Sequence, residues 1–444
     1  MAMEVWALVM FAVAIALLLL GYPVAFTLGS VAMVFGVIFQ GIGFFDLLPL
    51  RIWGIMTNFT LLAVPLFIFM GNILEKSGIA EDLLETMGLL FGRVRGGLAV
   101  SIVMVGALLA ATTGVVGATV VTMGVIALPA LLKHGYNTGL ATGTIAASGT
   151  LGQIIPPSII LILLADVVGV PVGQLFMGAV TPGLLLILLF IIYILILAWW
   201  RPQMAPAVDA ARLSGGADIA LLPRVLKGLV PPLLLIVAVL GSIFYGVASP
   251  TESAALGALG AMLLASLYRR MTLTHLREAL RQSTRLTSMV FMILIGATAF
   301  GLVFRGMGGD MLVEDLMLQM PGGEWGFLAV SMLLIFVLGF FLDFIEICFI
   351  VVPILAPIAD LMGINLLWFA VLIAMNLQTS FLTPPFGFSL FYLKAVAPAT
   401  VSIQQIYRGI IPFVTIQVIA LLLLLVFPQV SLWLPEIMDR MMGF

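Results

Sequence analysis

Apolar runs follow one another along almost the whole chain, and they decide its solvent before anything else. They fall at 5–20, 24–39, 57–74, 97–133, 138–168, 172–200, 225–246, 251–268, 286–304, 325–359, 366–396 and 409–427. A helix needs about 20 apolar residues to cross a bilayer, and soluble domains are about a quarter charged. Here 63% of residues are hydrophobic and 9% charged. The pattern predicts an all-α polytopic membrane protein with about ten full spans. It excludes a soluble enzyme, a disordered scaffold and a nucleic-acid binder, because a net charge of −2 offers phosphate backbones no basic field. Cys348 is the one cysteine, which rules out a disulfide framework or thiolate cluster. His134 and His275 leave little for haem or zinc. No Walker A sequence occurs, so this chain does not itself hydrolyse nucleotide. Residues 1–20 carry Glu4 as their one charge and lack a basic start and a cleavage site, so they read as a retained helix.

Polar stretches divide the chain. Residues 201–224 form a Pro-, Ala- and Gly-containing linker between two halves, and 269–285 and 79–92 read as amphipathic interfacial segments. The halves repeat each other. PALLKHGYN (129–137) resembles PIADLMGIN (357–365), and GQIIPPS (152–158) resembles SFLTPPF (380–386). Pro129 pairs with Pro357, Gly135 with Gly363, Asn137 with Asn365, and Pro156-Pro157 with Pro384-Pro385, each 228 residues apart. One ungapped register for five punctuating residues points to the internal repeats of secondary transporters, whose sites lie between the repeats.

Charge selects the topology. If 138–168 crosses once, broken at its proline pair, then 75–96, 133–137, 201–227, 269–285 and 394–408 share one side. That side collects 15 of the 18 Lys and Arg residues and leaves Arg51, Arg305 and Arg440 opposite. The positive-inside rule makes the first side cytoplasmic and places both termini outside. A hairpin at 138–168 would destroy the bias. Segments 97–133 and 325–359 are each too short for two spans and a turn, and their middles are irregular: ATTGVVG (111–117) and FLDFIEI (341–347). Both read as re-entrant hairpins entering from opposite sides, so the repeats are inverted.

Four irregular pieces, 111–117, 148–158, 341–347 and 376–387, are therefore expected to converge near the midplane. Unpaired backbone survives in a membrane only where it lines a protected cavity. Proline pairs remove N–H donors and free upstream carbonyls, which suit a cation, while the half-helix N-termini that follow, near Ser158 and Phe386, suit an anion. The neighbouring side chains are small oxygen donors: Thr112, Thr113, Ser148, Thr150, Gln153, Asn376, Gln378, Thr379, Ser380 and Thr383. They fit a hard cation such as Na⁺. The alternative is that the prolines merely kink packing helices. Asp343 and Glu346 are the carboxylates this topology places deep in the membrane. They either serve an ion or proton, or hydrogen-bond exposed backbone at the hairpin tip. Lys394 is an interface anchor or a partner for a substrate carboxylate, Arg305 an outer anchor, and Trp199-Trp200-Arg201 an aromatic and basic anchor.

These motifs resemble a known family. GQIIPPSIILILLADVVGVPVGQLFMGAVTPG (152–183) and TPPFGFSLFYLKAVAP (383–398) are similar to the two signatures of the large membrane subunit of TRAP (tripartite ATP-independent periplasmic) transporters, the DctM-like M subunit. GYPVAFTLG (21–29), VPLFIFMGNIL (64–74), YGVASPTESAALGALGA (245–261) and FFLDFIEICFIVVPILAPIA (340–359) extend the resemblance along the chain. The resemblance implies a multi-pass subunit of the bacterial inner membrane, with no catalysis and no cofactor beyond Na⁺ as coupling ion. Its partners would be a separate small Q (DctQ-like) subunit and a periplasmic binding protein (P, DctP-like) that delivers a small carboxylate. An elevator-type motion is implied. Scaffold helices would occupy 1–96 and 172–324, with linker 201–224 and segment 269–285. Transport repeats would occupy 97–171 (hairpin 97–133, broken helix 138–168) and 325–398 (hairpin 325–359, broken helix 366–396). A C-terminal helix would fill 399–444. Carried over by motif, the sodium and substrate regions are Thr112, Thr113, Gly114 and Gly117 with Ser148, Gly149, Thr150, Gln153, Pro156, Pro157 and Ser158. The second set is Gly339, Asp343 and Glu346 with Gln378, Thr379, Ser380, Thr383, Pro384 and Pro385. The alternative from the same physics is a stand-alone sodium- or proton-coupled anion transporter.

Overall fold

A computed structural model of the chain describes residues 3–113, 116–208, 226, 228–384 and 387–442. The apolar runs become helices, since in lipid a chain must satisfy its own backbone groups. The first part holds α1 (Met3–Leu19), α2 (Val24–Phe39), α3 (Leu48–Met56), α4 (Ala63–Lys76) and α5 (Ile79–Phe91). Next come α6 (Gly97–Thr113), α7 (Val116–Lys133), α8 (Thr138–Thr150), α9 (Ile159–Val168) and α10 (Val172–Trp200). Beyond the linker stand α11 (Val230–Phe244), α12 (Pro250–Leu267), α13 (Leu273–Gly306) and α14 (Gly309–Leu318). The last part holds α15 (Gly323–Leu338), α16 (Phe344–Ile350), α17 (Val352–Leu361), α18 (Leu366–Leu382), α19 (Phe388–Val396), α20 (Ile403–Val426) and α21 (Gln429–Met442).

Breaks fall where the sequence predicts them. Regular helix stops between α8 and α9 around Pro156-Pro157, between α18 and α19 around Pro384, and between α15 and α16 at 339–343. Because of such breaks, fewer helices cross alone than the run count suggests. Among the described residues, five helices (α7, α10, α12, α13 and α20) are long and apolar enough to span a bilayer, or up to seven spans if two bent pairs each count as one. One bent pair joins Phe344–Ile350 to Val352–Leu361 at 52°, and the other joins Ile42–Met56 to Thr60–Lys76 at 58°.

Two segments differ from expectation, and a third, 79–92, does not. Residues 269–285 do not form a separate interfacial element. From Leu273 they are the first half of α13, a single 34-residue helix, because nothing between Leu273 and Gly306 breaks the helical backbone. Segment 79–92 keeps its expected amphipathic character as the helix α5, whose Leu83, Leu84 and Met87 are buried against α6 while Leu90 is exposed. The C-terminal region is two helices, α20 and α21, separated at Phe427-Pro428, where proline cannot continue the helical bonding.

The 228-residue offset recurs in three dimensions. Gly135 and Gly363 both take left-handed backbone, φ 77° and 76°. Asn137 and Asn365 then cap the following helices: Asn137 Oδ1 accepts from the N–H of Gly139 and Leu140, and Asn365 Oδ1 from that of Trp368. Each turn thus needs glycine for its positive φ and asparagine for the orphan donors.

Loops segregate into two groups. The Arg270 guanidinium donates to the carbonyls of Ser77 and Gly78 at 3.2 and 2.9 Å and pairs with Asp82 at 2.9 Å. The linker start joins this group, through Val208 N–H to Gly92 O and Asn137 N–H to Met204 O. Lys394 Nζ donates to Val401 O at 2.6 Å. Elsewhere, Gln40 bonds the Gly306 carbonyl, and Thr251 bonds that of Phe59. The first group contains the loops rich in Lys and Arg. Trp199 and Trp200 are exposed at the end of α10, as interface anchors are.

Candidate ion and substrate site

The hairpin arms meet the broken helices through glycine. A Cβ on Gly149 would overlap the Val120 side chain of α7, and one on Gly152 would press on Ala110 of α6. In the second half, a Cβ on Gly339 would overlap Ser380 of α18. Gly117 faces the Tyr392 ring of α19, 3.1 Å from where its Cβ would lie. The two halves also touch each other: Ser389 Oγ donates to Ala146 O at 3.1 Å, and Gln378 Nε2 to Thr150 Oγ1 at 3.5 Å. Thr150 and Gln378 are themselves 228 residues apart, so any two-fold relating the repeats passes between them.

This crossing point is buried. Ser148, Thr150, Gln153, Ser158, Gln378, Thr379 and Ser380 are all wholly buried, and Asn376 nearly so. Several hydroxyls donate to their own helix: Ser148 to Thr144 O, Thr150 to Ala147 O, Thr379 to Met375 O, Ser380 to Leu377 O and Thr383 to Thr379 O, at 2.6–2.9 Å. Donation inward leaves oxygen lone pairs as what Ser148, Thr379, Ser380 and Thr383 can still offer, whereas Thr150 Oγ1 spends its own on Gln378 and Gln417. Ser158 Oγ donates to Gln153 O at 3.2 Å across the break. Both polar atoms of the Gln153 amide, Thr144 Oγ1 and the oxygens Gln378 Oε1 and Gln417 Oε1 have no hydrogen-bond partner among the described residues. Buried amides without partners are rare, and a cluster of acceptor oxygens fits a hard cation or ordered water. No group of three or more His, Cys, Asp or Glu suited to a transition metal occurs among the described residues.

Gln417 escaped the sequence reading. It lies in α20, outside the proline-marked segments, and its Nε2 donates to Thr150 Oγ1 at 3.3 Å. No two helices share a more extensive contact, among the described residues, than α20 and α8. The reason is a G-x-x-x-G face: Gly139 and Gly143 of α8 lie against Gly409 of α20, and a Cβ on Gly143 or Gly409 would strike the backbone of the facing helix. The signal was available, as GLATG (139–143) with a lone Gln in an apolar run.

Asp343 and Glu346 have a definite task. Asp343 is the N-cap of α16, its Oδ1 accepting from Phe344 N–H at 2.7 Å, and Glu346 Oε2 accepts from Asp343 N–H at 3.1 Å. This reciprocal capping box holds the hairpin tip, so both carboxylates satisfy exposed backbone there. Pro156 and Pro157 are buried and Pro384 is half-buried, each within its break. Gly114, Pro385 and the side chains of Thr112 and Thr113 lie outside the described residues.

The Gly339–Ser380 contact yields a prediction. Gly339→Ser should destabilise the protein by about 1–3 kcal/mol, the usual cost of overpacking a filled interface. Adding Ser380→Gly returns the lost space and should recover most of that loss. Thermal unfolding of the purified variants checks it. A double variant no better than the single one would show that the hairpin does not seat on α18 through these residues.

Residues 11–430 match the family "Tripartite ATP-independent periplasmic transporter, DctM component". The chain is 32% identical over 390 residues to the C4-dicarboxylate TRAP transporter large permease protein DctM of Pseudomonas aeruginosa, covering 88% of this chain and 89% of that one. It is 29% identical over 422 residues to the sialic acid TRAP transporter large permease protein SiaM of Vibrio cholerae, covering 95% and 96%. Over 436 residues it is 29% identical to the ectoine TRAP transporter large permease protein TeaC of Halomonas elongata, covering 97% and 99%. In fold it is similar to the crystal structure of the Alcanivorax borkumensis YdaH transporter, with a TM-score of 0.63 at 13% identity, covering 96% and 98%. With the family matched over nearly its whole length, the chain belongs to the DctM component of the tripartite ATP-independent periplasmic transporters, as a multi-pass membrane protein.

Proposed function

We propose that this chain is the permease of a three-part uptake system in a bacterial inner membrane, moving a small organic anion with Na⁺. The observation that carries the proposal is the contact between Thr150 and Gln378, equivalent positions of two repeats, beside two proline-broken helices. Broken helices at a repeat interface supply both parts of such a site: half-helix N-termini for an anion, and freed carbonyls with hydroxyls for a hard cation. The first hairpin (α6–α7) with α8–α9, and the second (α15–α17) with α18–α19, are the units proposed to be inverted relative to each other. They would move past α1–α4 and α10–α14 in an elevator-type motion. The close α8–α20 crossing makes α20 travel with the repeats, rather than stand apart as a C-terminal element. The sorting of basic loops to one end supports the cytoplasmic assignment of that end.

A periplasmic binding protein and a small Q-like subunit are the proposed partners. The relatives are permeases named for a C4-dicarboxylate, sialic acid and ectoine, so the binding protein is the place to identify the anion. A thermal-shift screen of the proposed binding protein with small carboxylates supplies the probe. Uptake of that probe into proteoliposomes should then require all three proteins and fall to background when either partner is omitted. Uptake by this chain alone, without either partner, would instead establish the stand-alone transporter.

A further inference from the structure

A polar cavity of about 370 Å³ lies apart from the helix breaks, lined by Arg51, Asn58, Asp166, Thr298 and Arg305 and bounded by Phe349 and Pro353. Separate stretches of chain build it: α3 and the turn after it, α13, the end of α9, and the hairpin helices α16 and α17. The first two lie outside the repeats and the others inside them, so the cavity straddles the joint. The end where it lies is the one the charge bias assigns to the outside.

Its charges are not matched within the protein. Among the described residues neither guanidinium has a carboxylate within 4.0 Å; Arg305 Nε donates to Gly301 O of its own helix at 3.2 Å. Asp310 lines a separate, smaller cavity with Arg305 and forms no ion pair with it. Asp166 is held on one side only. Asn58 Nδ2 donates to its Oδ1 at 2.6 Å, and Asn58 Oδ1 accepts from Thr60 N–H at 2.9 Å, which fixes which way the amide points. The other oxygen, Oδ2, keeps its acceptor capacity.

We propose that this cavity receives a monocarboxylate that also bears a hydrogen-bond donor, a hydroxyl or an ammonium group. Arg51 and Arg305 take the carboxylate by charge-assisted hydrogen bonds, and Asp166 Oδ2 accepts from the donor. A second carboxylate would face Asp166 and be repelled, so the class is narrower than organic anions in general. The volume falls in the range of small-molecule sites, about 300–1,000 Å³. Its place as a first stop on an uptake path rests on the transport function proposed above; its chemistry does not.

The test reads the arginines directly. The full chain in nanodiscs is treated with phenylglyoxal in lactate, propionate or chloride at equal ionic strength, and modification is followed at each arginine by peptide mass spectrometry. Lactate at about five times its Kd should slow modification of Arg51 and Arg305 about sixfold. Propionate, which lacks the hydroxyl, should protect less at the same concentration. Arg440, exposed on α21, should react equally in all three. Asp166→Asn should remove the advantage of lactate over propionate. No protection, equal protection by both acids, or equal slowing at Arg440 would each overturn the proposal. Protection is scored without turnover, so a failed uptake assay leaves it standing and its failure leaves the transport function standing.

Discussion

Thr150→Val should destabilise the protein by several kcal/mol and abolish uptake, although valine nearly matches threonine in shape. The hydroxyl accepts from Gln417 Nε2 at 3.3 Å and Gln378 Nε2 at 3.5 Å, and donates to Ala147 O at 2.8 Å. All three side chains are wholly buried. Removing the shared oxygen strands two amides, at about 1–3 kcal/mol each, with the longer Gln378 bond at the lower end. The asymmetry between breaking a polar set and removing it gives a control. Thr150→Val combined with Gln378→Leu and Gln417→Leu removes the whole set, and should be more stable than Thr150→Val alone while remaining inactive. Tryptophan fluorescence during thermal unfolding, with seven Trp in the chain, measures the first part and vesicle uptake the second. Wild-type stability in Thr150→Val would remove the hub from the account.

The second large effect concerns the coupling ion. The buried amide oxygens of Gln153, Gln378 and Gln417, with hydroxyls such as Ser148, Thr379 and Ser380 donating inward along α8 and α18, are the neutral donor set proposed for the cation. A neutral set binds a cation without first needing a proton to leave, so the driving gradient should be sodium, not pH. Asp343 and Glu346 would be the natural proton carriers, and each gives one oxygen to the α16 cap, which supplies them with a structural task instead. Asp343→Asn keeps an acceptor oxygen for Phe344 N–H, so the account expects it to retain uptake at a reduced rate, through a weakened cap.

Much of this was legible in the sequence because the informative residues act locally. A proline pair withholds two successive N–H donors, so Pro156-Pro157 and Pro384-Pro385 mark breaks without any knowledge of the fold, whereas single prolines such as Pro129 and Pro182 are carried inside α7 and α10. Gly135, Asn137, Gly363 and Asn365 likewise carry their own turn chemistry, positive φ followed by an N-cap. The 228-residue register then linked the halves. What escaped depends on approach between distant segments. Gln417 reads as a stray polar residue in an apolar run until the Gly139–Gly143 face brings α20 against α8. Asp166 reads as a helix-end charge until Asn58, 108 residues away, is found bonded to it. Segment 269–285 misled for a third reason: its amphipathic pattern is real, but periodicity does not say whether a helix stops, and this one continues to Gly306.

The central claim is that the broken helices and their oxygen-lined crossing form a sodium-coupled transport site. It is tested most directly by initial uptake rates into vesicles holding the complete three-part system, with an inward sodium gradient set against an equal choline gradient at matched pH and membrane potential. The account predicts uptake at background in choline and a rate that rises with external sodium. An undiminished rate in choline would contradict it.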